Sequence, residues 1–271
     1  MEMKLETKVM ASESSHFYDR DGTPCYEVKA KDGSMRPSTL RDCRKHGWVP
    51  SVTTILGVIA KPGLENWKMQ NTVLAAMTLP RMEGESLDAF SLRVIQDGKE
   101  TGRKAAQLGT DIHASLDKSY SGKDYNPEHE VYVKAVQEAV FLKYGDQDWI
   151  AEKSFAHGLG FGGKIDLACE VAMIEGKTLE QSNTGIVIDF KTSSFTEDKV
   201  KTLGYDEHVW QLSAYATGIC IQKPILANVY VSTVTPGLVF IKEYTQEESD
   251  WGWDCFSSFL NAWKIMKKYQ P

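Results

Sequence analysis

The period of apolar positions changes near residue 145. Before it, helical spacing dominates. Residues 49–60, VPSVTTILGVIA, open with Pro-Ser and turn apolar, which predicts a capped helix. Residues 64–79 and 86–120 are also predicted helical; in the second, Ala105, Leu108, Ile112 and Leu116 fall close to one face. The polar loop SGKDYNPEHE leads into a further helix from about 128 to 144. Residues 16–28, HFYDRDGTPCYEV, alternate on either side of Asp21-Gly22 and predict a hairpin.

After residue 145 the period shortens. DWIAEKSFA (148–156) alternates as a strand, and GFGGKIDLACEVA (160–172) reads as a second strand opened by glycines. Residues 173–185 are a polar connection, followed by a third strand, IVIDFKTS. Residues 206–221 form an amphipathic helix, 225–234 and 238–244 two more strands joined through Thr235-Pro236-Gly237, and 246–269 an aromatic-rich helix. Strands interrupted by helices predict an α/β or α+β core over 145–245, a mixed central sheet flanked by helices. An N-terminal β-hairpin and a helical cap or arch precede it. No linker rich in Pro, Gly or Ser divides the chain, so one domain is expected over 1–271, with 1–145 as hairpin and cap and 146–271 as core.

Composition adds limits. The chain has 271 residues, 42% hydrophobic and 25% charged, enough to bury a substantial core. No apolar run approaches the length of a membrane span. The N-terminal stretch MEMKLETKVMASESS lacks the apolar block of a signal peptide, so a cytoplasmic setting is expected. A net charge of −6 argues against a general basic nucleic-acid coat but leaves room for a local basic channel. Five cysteines, far apart and without CxxC, suit a reducing cytosol and offer no compact zinc or iron–sulfur site.

One stretch stands against the pattern. In GIVIDFKTSS, three aliphatic residues of a core strand run straight into Asp189, Phe190 and Lys191. Charges in a buried strand are costly unless paired or bound to a metal. Residues two apart share a strand face, so Asp189 and Lys191 project together while Phe190 points into the core. Asp166, on the preceding strand, faces away from Ile165 and Leu167. If those strands pair, two carboxylates and an ammonium converge, with the Phe190 carbonyl near the strand end. Two such carboxylates repel unless a proton or divalent cation lies between them, and oxygen ligands suit Mg²⁺ or Mn²⁺. A metal, a water and an anchored lysine suit phosphodiester hydrolysis. An isolated D-x-K is most often a plain salt bridge at a strand edge; the surrounding residues weaken that reading here.

GGKID (162–166), IVIDFKTS (186–193) and QLSAY (211–215), in that order and after GTDIH (109–113), resemble the motifs of the PD-(D/E)xK nucleases, in their RecB-like exonuclease branch. More loosely, residues 48–68 resemble the N-terminal part of phage exonucleases of this branch and of the mitochondrial genome maintenance exonuclease. The resemblance implies a restriction-endonuclease-like core. It implies His113, Asp166, Asp189 and the Phe190 carbonyl as metal ligands, Lys191 as the catalytic lysine, and Gln211 and Tyr215 as residues that support the site and contact DNA. Gln211 and Tyr215 lie four apart on one helix face, with His208 three before Gln211 on the same face. Glu152 is a further acidic candidate, with a solvated strand residue as its other reading. Some relatives hold an iron–sulfur cluster on one early and three late cysteines; only Cys255 lies late here, so no cluster is expected.

Other residues mark a path for DNA. Ser51, Thr53 and Thr54 lie at a helix start and suit phosphate. Trp67 and Lys68 offer a stacking face and a charge. Lys99, Arg103 and Lys104 precede the histidine helix as a basic entrance. For each the alternative is a cap, a core aromatic or a solvated face. The expected activity is metal-dependent deoxyribonuclease, an exonuclease on single-stranded DNA ends in phage or bacterial recombination, replication or repair, with a protein of those processes as partner and no membrane. The rivals are a structure-specific endonuclease and a DNA-binding recombination protein without catalysis.

Overall fold

The computed structural model describes residues 15–171 and 184–271. The expected polar connection at 173–185 therefore lies almost wholly outside the described residues. At the N-terminal side, β1 (Phe17–Tyr18), β2 (Glu27–Lys29) and β3 (Met35–Pro37) precede α1 (Leu40–His46), β4 (Val49–Pro50) and α2 (Val52–Leu56). The turn expected at Asp21-Gly22 forms, with the Asp19 N–H donating to Thr23 O at 3.0 Å. Its arms do not make one long hairpin. Tyr18 bridges Pro24, which has no N–H to continue a ladder; β1 pairs with β4, and β2 turns back on β3. α1 and the β2–β3 hairpin have no counterpart in the sequence reading. α2 is shorter than expected. Ser51 caps it, accepting from the Thr54 N–H at 2.9 Å, but it stops before Gly57, and Pro62 disfavours helical geometry at Lys61.

Three longer helices follow: α3 (Pro62–Thr78), α4 (Leu87–Tyr120) and α5 (Glu130–Tyr144). The 34 residues of α4 span about 50 Å, and Ser86 caps it by accepting from the Ala89 N–H. The central sheet is β5 (Ile150–His157), β6 (Phe161–Cys169), β7 (Ile186–Ser193), β8 (Ile225–Ser232) and β9 (Val239–Tyr244), adjacent in that order. Neighbours are antiparallel except β7 and β8, whose parallel pairing requires a crossover, supplied by α6 (Asp206–Gly218). α7 (Gln246–Lys267) closes the chain.

Both faces of the sheet are covered, and this accounts for the unbroken apolar runs in β7 and β8. On one face Ile112 and Leu116 of α4 and Val133, Val136 and Val140 of α5 pack on Leu167, Ile186, Ile188, Phe190 and Val229. On the other, α2, α6 and α7 bring Ile55, Leu212, Phe256 and Trp263 against Phe161, Ile165, Val187 and Leu226. At about 25 cal/mol per Å² each such face supplies a large share of the folding free energy. Polar residues inside it therefore need a reason.

Candidate active site

That reason is a polar row across the apolar sheet. Asp189 of β7 pairs with Asn228 of β8, and Asn228 with Lys242 of β9. Cross-strand partners share a face, here the face covered by α6. On the other side the β6–β7 ladder ends at Leu167 and Ile188. Asp166 and Asp189 are the next residues on each strand, so the strands part at the two carboxylates. Asp166 turns back across the gap, its Oδ2 accepting from the Phe190 N–H at 2.8 Å.

Asp189 is held from three sides. Its Oδ1 accepts from Gln211 Nε2 at 2.9 Å, and its Oδ2 accepts from Asn228 Nδ2 at 3.0 Å and lies 2.7 Å from Lys191 Nζ. Lys191 also donates to Gln211 Oε1 at 3.1 Å, and Gln211 donates to the Tyr215 hydroxyl at 2.9 Å. Asn228 Oδ1 in turn accepts from the Tyr244 hydroxyl at 2.8 Å. The Asp189 side chain is only 6% exposed. A buried carboxylate is tolerable because every partner is itself anchored.

His113 approaches from the opposite helix layer. Its Nδ1 lies 3.7 Å from Asp166 Oδ2, and its ring meets Phe190 edge-on. The approach depends on Gly109, one turn earlier on α4. A Cβ there would stand 2.5 Å from Thr192 Oγ1, so only glycine lets α4 close onto the end of β7. Burial pushes the Asp166 carboxyl up to about 7, helped by the neighbouring Asp189 charge, and burial lowers the His113 ring.

The sequence-predicted residues thus fall into groups. Asp166, Asp189, Lys191, Gln211, Tyr215 and His113 come together. Phe190 meets Asp166 through its backbone N–H. Gln211 and Tyr215 are buried behind Asp189, which suits support of the site. Glu152 carries a left-handed φ of 54° opposite Asp166 and is ion-paired with Lys164. Ser51 is buried as a helix cap with Thr53 beside it. Lys68 pairs with Glu65 and Arg103 with Glu100 on exposed helix faces. Trp67 is 41% exposed and borders a cleft of about 670 Å³ that reaches His113 and is also lined by Thr110 and Ser193. Asn228 and Tyr244 were not anticipated. The signal available was one amide inside the apolar run ILANVYVS.

The donor chemistry at the fork, two carboxylates and an imidazole, fits a divalent cation of the Mg²⁺ or Mn²⁺ kind. Burial and the neighbouring Asp189 charge both disfavour the Asp166 carboxylate, and a bound cation would offset both. Among the described residues, however, no group of three or more His, Cys, Asp or Glu side chains is placed closely enough to hold a metal ion.

No family model matches the chain, and no curated protein matches it. Among solved structures, the protein SSO0001 aligns at 15% identity over 77% of this chain and 88% of its own, with a TM-score of 0.30. An alkaline exonuclease from Laribacter hongkongensis aligns at 13% identity over 59% of this chain and 81% of its own, with a TM-score of 0.33. At these scores neither likeness bears on what the chain does.

Proposed function

We propose that the protein is a metal-dependent deoxyribonuclease of the PD-(D/E)xK type, acting as an exonuclease on single-stranded DNA. The observation that carries this reading is the junction of Asp166 and Asp189 where β6 and β7 part, with Lys191 2.7 Å from Asp189 and His113 3.7 Å from Asp166. Asp166, Asp189 and His113 would hold the cation. When bound, it would polarise a phosphoryl oxygen and offset the charge that develops there. Lys191 has three N–H donors, of which Asp189 and Gln211 engage two. The remaining donor is available to a water or a phosphoryl oxygen. Gln211 fixes both the acid and the lysine, so the pair keeps its geometry through the reaction.

The test is digestion of labelled DNA with Mg²⁺ or Mn²⁺ by the wild type, Asp189→Ala and Lys191→Ala. Cleavage falls on the order of 10²-fold or more in each variant. Asp189→Ala loses metal binding, whereas Lys191→Ala keeps it and loses turnover. Wild-type rates in either folded variant would sink the assignment. His113→Ala weakens Mn²⁺ binding more than DNA binding, which calorimetry reads directly.

A further inference from the structure

The polar row does not end at the carboxylates. Two strands beyond Asp189, at about 10 Å by strand spacing, it reaches Lys242 on β9. Lys242 Nζ lies over the Tyr244 ring at 5.0 Å, and among the described residues no carboxylate pairs with it. The lysines nearby are each matched: Lys191 with Asp189, and Lys61 with Glu207 at 3.5 Å. Lys242 is thus a half-buried cation resting on an aromatic ring.

Its surroundings form a cup. His208 Nδ1 is hydrogen-bonded to the Tyr230 hydroxyl at 2.8 Å, and Tyr230 sits beside Lys191 in the β7–β8 register. The chain crosses directly above at Gly204, with φ 106°. A Cβ there would stand 3.1 Å from both Lys242 Nζ and the Tyr230 hydroxyl. Any larger residue would be strained at that φ and would press on the lysine and the hydroxyl. Burial, then the charge of Lys191, holds the His208 ring down to about 4; Asp189 opposes this, and Lys242 and Lys61 add to it, so the lysines lie within reach of the ring. In a protein of net charge −6, such a local concentration of positive charge next to the site suits a polyanion.

We infer that Lys242, seated beside His208 and Tyr230, is a second anion subsite, which takes a backbone phosphate of the DNA strand flanking the one at Asp189. The inference rests on the nuclease reading for its ligand. The subsite lies on the β8–β9 side of Lys191, away from the Trp67 cleft that reaches His113. Contacts of this kind set register and carry no sequence information. Lys242 does not touch the reacting phosphate, so it governs binding rather than turnover.

The experiment is fluorescence anisotropy of a labelled twelve-nucleotide oligothymidylate in EDTA over a KCl series, followed by cleavage kinetics with Mn²⁺. It compares wild type, Lys242→Ala, Lys242→Arg and Lys143→Ala. Lys143 of α5, which pairs with Glu243 of β9, controls for net charge. Loss of one phosphate contact lowers the slope of log Kd against log salt by about 0.7. Lys242→Ala therefore shows a shallower slope, weaker binding at low salt and a higher KM with kcat retained; Lys242→Arg and Lys143→Ala stay near wild type. If the wild type cuts DNA while Lys242→Ala matches it in slope and KM, the subsite falls and the nuclease reading stands. If the slope depends on Lys242 but no variant or wild type cuts, the nuclease reading falls and the subsite stands. A wild type that does not bind the oligonucleotide overturns both.

Discussion

Asn228 shows how much one side chain fixes. It is fully buried between Asp189 and Tyr244, giving its amide N–H to the acid and taking the hydroxyl proton of the tyrosine. Asn228→Ala leaves both partners short of a hydrogen bond, at about 1–3 kcal/mol, and lets the Asp189 carboxylate turn. Partners behind metal ligands are typically worth 10- to 100-fold in activity. We expect a fall of that order in kcat with KM little changed and a lower Tm, read by steady-state kinetics and thermal melts. Asp189 and Lys191 were legible in the sequence because their charges share a strand face, and Gln211 through the resemblance of QLSAY to a family motif. Asn228 was not, because a lone amide in an apolar strand gains its meaning only when β8 is laid in register beside β7. His208 gives a second test. Its folded pKa, about 4, lies below the ordinary 6.5. As pH falls through 6.5 toward 4, protons bind the unfolded chain first, so stability drops across that window. The raised Asp166 carboxyl acts in the opposite sense over the same window, so the His208 part is read as a difference: on going from pH 7 to 4, His208→Gln should gain Tm relative to wild type.

At the scale of elements, α4 does two jobs. Its C-terminal half buries Ile112 and Leu116 on the sheet, and the turn between carries His113 to Asp166. The long helix was visible from its periodicity, and the histidine from the GTDIH motif, but the reason for the glycine was not. Gly109 is needed because Thr192 Oγ1 occupies the place of a Cβ, while Thr192 Cβ is 3.7 Å away, an ordinary contact. Gly109→Ala should therefore push α4 off β7, cost about 1–3 kcal/mol as overpacking does, and withdraw His113 from Asp166. Thr192→Ala removes the offending oxygen. The double variant Gly109→Ala, Thr192→Ala should regain most of the stability and metal affinity lost in the single one, as a double-mutant cycle reads. Additive losses would show that the helix position is set elsewhere. The short elements β2, β3 and α1 escaped the sequence reading for a different reason. Strands of three residues hold too few positions to display a period, and their order comes from pairing and from Asp42, which accepts from the Thr39 N–H at 2.9 Å.

For the whole molecule, the question is what reaches the carboxylates. Asp189 is 6% exposed beneath α6, and the cleft beside His113 is bordered by α3, α4 and the end of β7. A rigid duplex presents its phosphates on a wide convex surface and would have to unstack to bring one to this depth. A single strand bends, and Trp67 offers a stacking face that accepts any base, worth roughly 1–3 kcal/mol per base. A strand that lies between α3 and the sheet is most simply loaded from a free end, which is what the exonuclease reading requires. Linear single-stranded DNA should then be degraded, while a closed circle of the same sequence survives and blunt duplex is cut slowly. Parallel digestions with Mg²⁺ or Mn²⁺ read all three at once. Rapid cutting of the circle would remove the need for an end and favour an endonuclease. Equal speed on blunt duplex would mean that α3 and α4 do not narrow the approach. Trp67→Ala separates the groove from the chemistry: if the tryptophan stacks on bases, it should raise KM for the linear strand and leave kcat for bound DNA close to wild type, because stacking would not touch the phosphate that is cut.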